Sequence, residues 1–296
     1  DINIVHAHDN NASINGYIAK LLGRGKFKLI SHIHNCYPWL QSKNKNKIID
    51  SIVRKQYDHN IACGKLVYDY YTKHTDYVNS NNTTILSNAI DIEDIRNIKQ
   101  ENEDLKSKYN IAKDKIVIGF VGRISEQKGI LPFITEFKNH KEKFKDCKFL
   151  LIGSGDQDEE AKELIKEYKL QDYFILTGHE DNVYKFYPII DIFFLPSLYE
   201  GLPMVILEAM SFKKPIVAMN VGSIYEVVKN EYNGYLINEK DYTEFIHSLE
   251  SLKSDNEKIK IYGENSFKII DENYNIEKYQ NDITKVYDRL LSINTN

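Results

Sequence analysis

The chain has 296 residues, enough for two ordinary domains. It is 42% hydrophobic and 28% charged with six prolines, and no run of about 18 apolar residues offers a membrane-spanning helix. The net charge of −4 comes from Lys and Arg interleaved with Asp and Glu, which argues against a dedicated nucleic-acid binder while leaving room for a local basic patch toward phosphate or lipid.

The first strand-like run, Ile2–Ala7, begins beside Asp1 rather than a methionine, so the sequence is expected to start inside a longer protein. No signal peptide is visible. Cys36, Cys63 and Cys147 lie far apart with no CxxC pair, which points to a reducing, cytoplasmic setting. Phe27–His32, Asn60–Cys63 and Thr83–Leu86 follow as further strands. His6 and His8 sit at the end of the first strand, and His32 and His34 at the end of the second. Alternate residues of a strand share a face, so each His-x-His pair is able to ligate a metal. That supports a metal-dependent hydrolase as a rival reading, although no later His or Asp at a strand end completes the ligand set.

Asn88-Ala89-Ile90-Asp91 reads as a turn, and the charged, Asn-rich stretch to Lys115 reads as a boundary. A fresh sheet then opens with Ile116–Val121. Lys148–Ile152, Phe174–Thr177, Ile190–Leu195, Ile216–Ala218 and Tyr235–Ile237 continue it. Most are apolar on both faces, as strands of a buried parallel sheet are. Between them run helices of 3.6-residue period, with stripes such as Tyr242, Phe245, Ile246, Leu249 and, near the end, Tyr279, Ile283, Val286, Tyr287, Leu290. Alternating strands and helices predict doubly wound α/β units.

Ligands of such sheets bind beyond the carboxyl ends of the strands. Four ends in the second half carry suggestive residues. Gly122-Arg123 with Lys128 in the next loop offers two cations that suit a diphosphate. Gly153 opens a Gly-x-Gly turn, and Gly178-His179 follows a third strand. The fourth end is the most informative. Glu200-Gly201-Leu202-Pro203-Met204-Val205 leads into a helix with Pro203 expected as its first residue, and the surrounding amides form an anion site. Glu200 and Glu208 would repel a phosphate there unless they serve another purpose, such as accepting hydrogen bonds from sugar and ribose hydroxyls. Against that stands a plain helix-dipole role for Glu200, with Glu208 paired elsewhere.

The spacing of Glu200 and Glu208 resembles the Glu-x7-Glu motif of retaining family 4 glycosyltransferases. The Gly122-Arg123-x4-Lys128-Gly129 loop, Gly153-Ser154-Gly155, Thr177-Gly178-His179, Asp191–Ser197, Lys214–Ala218 and Gly222 stand in that family's order. The resemblance covers residues 85–296 and is weaker over 1–84. It implies a GT-B fold, an α/β architecture of two Rossmann-like domains facing a cleft, here with a partial first domain at 1–105, a nucleotide-sugar domain at 106–273, and a helix at 274–296 crossing back. It also implies roles. Glu200 would contact the donor sugar, Glu208 the ribose, and Arg123 and Lys128 the diphosphate. His34 would lie near sugar and phosphate, with His32 as second choice. Gly122, Gly153, Gly178, His179, Gly201, Leu202, Pro203, Met204 and Val205 would complete the donor site.

This chain departs from the family at Phe212-Lys213-Lys214-Pro215, at Gly222-Ser223 and at Asn88-Ala89. The expected reaction is retaining transfer of a hexose-type sugar from a UDP-sugar, without a metal or other cofactor, to a saccharide, lipid-linked or protein hydroxyl acceptor. The setting would be polysaccharide or glycoconjugate synthesis, with peripheral membrane association open. A nucleotide-sugar epimerase of the same fold and a non-catalytic partner subunit are the remaining alternatives.

Overall fold

A computed structural model describes residues 2–23, 27–42, 44–97 and 104–292. The chain divides into two units, one of Asp1–Ala89 with Ile276–Asn296 and one of Ile90–Asn275. The first division therefore falls at Ala89/Ile90, ahead of the expected 105/106. The reason is local: Ile90 donates its backbone N–H to Tyr274 at 2.8 Å and bridges Asn275, so it belongs with the second unit. Within the stretch read as a boundary, residues 98–103 lie outside the described residues, as do Asp1 and residues 293–296 of the final segment.

The first unit holds four parallel strands in sequence order: β1 (Ile4–His8), β2 (Lys28–Ile33), β3 (His59–Ala62) and β4 (Thr83–Ile85). Alternation sends neighbouring β2 residues to opposite faces. Leu29 packs with Ala7, Val53 and Tyr57 on one face. Ile30 packs with Ile61 and Leu86 on the other, where Ile283, Val286 and Leu290 of the helix Ile276–Ser292 cover it.

That helix also brings Arg289 to His59, with a guanidinium nitrogen 3.1 Å from Nε2. Burial, aided by the Arg289 charge, holds the His59 pKa down at about 4. A depressed histidine pKa means that the unfolded chain takes up the proton first. His59 therefore favours the folded state above the ordinary histidine pKa, and that advantage is lost as pH falls from about 6.5 toward 4. Replacing His59 with Gln should reduce the stability lost between pH 7 and pH 5 by about 1 kcal/mol, read by urea denaturation at both pH values.

The second unit holds six parallel strands: β5 (Ile116–Val121), β6 (Cys147–Ile152), β7 (Phe174–Gly178), β8 (Ile192–Leu195), β9 (Ile216–Met219) and β10 (Gly234–Ile237). Their order is β10-β9-β8-β5-β6-β7. The chain thus builds outward from β5 to β7, crosses to β8 on the other side of β5, and builds outward again. Phe133, Phe149, Phe174, Phe194 and Phe245 are fully or almost fully buried in the core. The Phe133 and Phe194 ring centroids are 4.9 Å apart and those of Phe149 and Phe174 5.0 Å apart. This packed core fixes the strand ends from which the site loops spring.

Candidate donor site and histidine cluster

β5 and β8 are neighbours from opposite halves of the second sheet, so the gap between their carboxyl ends is the topological switch point. In open α/β sheets a ligand crevice opens there. The loop after β5 carries Arg123 and Lys128, and the loop after β8 carries Glu200. The two loops are tied together: Leu198 donates its N–H to the Gln127 carbonyl at 2.8 Å, and the Gln127 amide donates to the Tyr199 carbonyl at 3.0 Å.

Lys128 Nζ lies 2.6 Å from Glu200 Oε1, with side-chain exposures of 16% and 7%. The carboxylate expected beside an anion is therefore neutralised by a lysine of the neighbouring loop. Arg123 is exposed on the β5 loop and makes no side-chain hydrogen bond or ion pair among the described residues. An exposed planar fork, without a side-chain partner among the described residues, and a largely covered ammonium thus belong to one loop.

Two glycines permit the close packing of these loops. Gly129 has φ 66°, and a Cβ there would stand 2.2 Å from the Pro196 carbonyl oxygen. Gly222 has φ 59°, and its Cβ would meet the Glu200 and Gly201 carbonyl oxygens at 2.3 and 2.5 Å. Ser223 then donates its N–H to the Gly201 carbonyl at 2.8 Å. At the neighbouring strand ends, Gly153 donates its N–H to Gly178, while a Cβ on Gly153 would approach the Gly122 carbonyl. Gly122, Gly153 and Gly178 are therefore one backbone cluster. His179 follows it but points into solvent, 3.3 Å from Asp181.

The expected helix start needs correction. Pro203 is the N-cap, with an extended ψ of 127°, and the helix is Met204–Ser211. The Pro203 carbonyl accepts from Ile206 at 3.1 Å, closing the first turn. Met204 and Val205 supply first-turn amides without intrahelical acceptors. Gly201 and Leu202 precede the helix, and the Leu202 side chain is buried in the core.

Glu208 lies inside that helix and is 9% exposed. Tyr187 donates to its Oε2 at 2.7 Å and Tyr184 to its Oε1 at 3.4 Å. Burial raises the Glu208 pKa above the usual carboxylate value, and the two tyrosine hydrogen bonds oppose that rise. Sequence reasoning missed both tyrosines, although their three-residue spacing on one helical turn was a usable signal. It also missed Ser125, Ser197 and Ser223, whose buried hydroxyls in these loops have no partner among the described residues.

In the first unit, register places His8 of β1 opposite His32 of β2. His6, His8, His32 and His34 consequently share one face of the sheet. Ring centroids are 4.6 Å apart for His6 and His8 and 4.2 Å for His32 and His34. His8 Nδ1 and His34 Nε2 lie 3.0 Å apart. Burial lowers the His34 pKa, against the opposing pull of Asp9. Burial and the neighbouring histidines lower that of His6 to about 4 and that of His32 to about 2.

The second unit is thus a six-stranded parallel sheet with Arg123 and Lys128 on the loop that follows β5 at its switch point. The chain shares its fold with the HepE protein of Anabaena solved in complex with UDP-glucose, at a TM-score of 0.85 and 20% identity, covering 97% of this chain and 79% of that one. It is 30% identical to an uncharacterized glycosyltransferase of Methanocaldococcus jannaschii over 94% of this chain and 72% of the relative. A second uncharacterized glycosyltransferase of that organism is 31% identical over 74% of this chain, which spans 55% of the relative's length. A UDP-Gal:alpha-D-GlcNAc-diphosphoundecaprenol alpha-1,3-galactosyltransferase of Escherichia coli is 27% identical over 96% of this chain and 74% of its own. Residues 101–269 match the model of the glycosyl transferases group 1. The chain belongs to that family, and its fold is GT-B.

Proposed function

We propose that this chain transfers a hexose-type sugar from a UDP-sugar to a hydroxyl acceptor, with retention, during polysaccharide or glycoconjugate synthesis. The observation that carries this reading is the Lys128–Glu200 pair on the loops of the β5/β8 switch point, where Arg123 has no side-chain partner among the described residues. Arg123 and Lys128 bind the diphosphate, and the first-turn amides of Met204 and Val205 add an uncharged anion cradle. These groups stabilise the charge that develops on the leaving phosphate. Glu200 accepts from sugar hydroxyls and Glu208 from the ribose. His34 positions and polarises the reacting groups. Donor phosphate binding on this scheme requires no metal.

Support for the uridine donor comes from the UDP-glucose complex of the Anabaena protein and the name of the Escherichia coli relative. The latter also supports a lipid-linked saccharide acceptor. No described helix is long and apolar enough to cross a membrane, and the reading places the chain in the cytoplasm, with peripheral contact to the inner membrane face. A metal-dependent hydrolase would leave the Lys128–Glu200 pair unexplained.

Thermal unfolding in the presence of UDP-glucose, UDP-galactose and matched GDP- and ADP-sugars tests the donor assignment. At ten times its Kd, the correct donor should add about 1.4 kcal/mol of apparent stability. No shift with any UDP-sugar refutes the uridine donor. Product analysis with and without acceptor then separates transfer from epimerisation.

A further inference from the structure

We propose that His6, His8 and His32 form a transition-metal site in the first unit, selective for a borderline divalent ion such as Zn2+. One ring nitrogen from each of the three lies within 4.8 Å of the others. Three histidines with an open position are a common zinc arrangement, in which Zn–N distances near 2.0–2.1 Å place ligand nitrogens about 3.3 Å apart in a tetrahedron. Imidazole ligands suit Zn2+, Co2+, Ni2+ and Cu2+ and disfavour Mg2+ or Ca2+.

Two further observations point to a ligand. His32 is 1% exposed, and apart from a weak contact with the Leu86 backbone its ring nitrogens have no hydrogen-bond partner among the described residues. A buried polar group left so is costly and requires an explanation. The second is the orientation of His6. Its Nδ1 is held by the Tyr287 hydroxyl at 2.8 Å, while its buried Nε2 has no partner. A ligating histidine commonly has its other nitrogen fixed in this manner. Tyr287 therefore acts as a positioning residue. The site uses none of Arg123, Lys128, Glu200 or Glu208, so its failure leaves the transferase reading standing.

The test uses the full chain purified without a polyhistidine tag. After dialysis against Zn2+ and then metal-free buffer, elemental analysis should find one zinc per chain. Co2+ should bind with the same stoichiometry and give the visible absorption of a low-coordinate nitrogen site. His8→Gln, at an exposed position, and His6→Gln should each abolish stoichiometric retention. His247→Gln, a histidine of the other unit, should retain it. Tyr287→Phe should weaken Co2+ binding about tenfold. Absence of stoichiometric metal in the wild-type chain, or equal retention by His8→Gln and His6→Gln, overturns the proposal.

Discussion

Arg123→Ala and Lys128→Ala should each lower turnover by about two to three orders of magnitude, the scale of about 2.7–4 kcal/mol for one donor to a developing anion. The two variants should differ in everything else. Arg123 is exposed and unpaired among the described residues, so its loss should leave the thermal midpoint nearly unchanged. Lys128 covers the Glu200 carboxylate, which is 7% exposed, and its removal strands that charge. Lys128→Ala should therefore also reduce stability and weaken donor binding by repulsion. Adding Glu200→Gln to Lys128→Ala should restore stability but not turnover, because on the proposed donor site the diphosphate still lacks its cation. Steady-state kinetics and thermal unfolding on the wild type and the three variants decide the matter. Wild-type turnover in both single variants would remove these residues from the mechanism.

Gly129→Ala should be among the most damaging small substitutions, at about 2–5 kcal/mol. Part of this is the cost of a Cβ at φ 66°. The rest is collision with a backbone carbonyl, since Pro196 O would stand 2.2 Å away and the Tyr242 hydroxyl 3.0 Å away. Backbone cannot rotate aside as a flexible side chain does, so the β8 loop must shift. Glu200 rides on that loop, and the 2.6 Å pair with Lys128 would open. Denaturant unfolding should show the stability loss, and donor titration the loss of affinity in the chains that still fold. A wild-type midpoint would mean that the loops are not packed as described.

All ten strands were legible in the sequence: most of those in the second unit are short apolar runs buried on both faces, and the polar ones of the first unit, such as β1 and β4, stood out by their place beside helical stretches. Their ends were less so. Asp191 read as part of its strand, yet it precedes β8 and binds the β5 backbone, accepting from Val117 N–H at 2.8 Å. His59 read as lying outside β3, yet it begins that strand because Thr84 and Arg289 satisfy its ring. For the donor site, residue types and strand ends could be read. Their pairing could not: Lys128 and Glu200 lie 72 positions apart, and only the β5/β8 adjacency unites them. The Pro203 error has a similar source. Proline's fixed φ suits both N1 and the N-cap, and ψ, which the sequence does not specify, distinguishes them. Facing of His6 with His8 followed from the two-residue strand period, but the four-ring cluster needed the β1/β2 register.

The path of the chain between the two units has a consequence for synthesis. The second unit is one uninterrupted segment, Ile90–Asn275, while the first is assembled from both sides of it. On the ribosome, Ile90–Asn275 can close its core as soon as it emerges. The earlier-made β1–β4 sheet must wait, one face uncovered, for Ile283, Val286 and Leu290. During that interval Ile30, Ile61 and Leu86 are open to chaperones or to wrong partners. A nascent chain stalled before Ile276 should therefore be protease-resistant in its later-made part and cleavable in its earlier-made part, reversing the usual order in which domains mature.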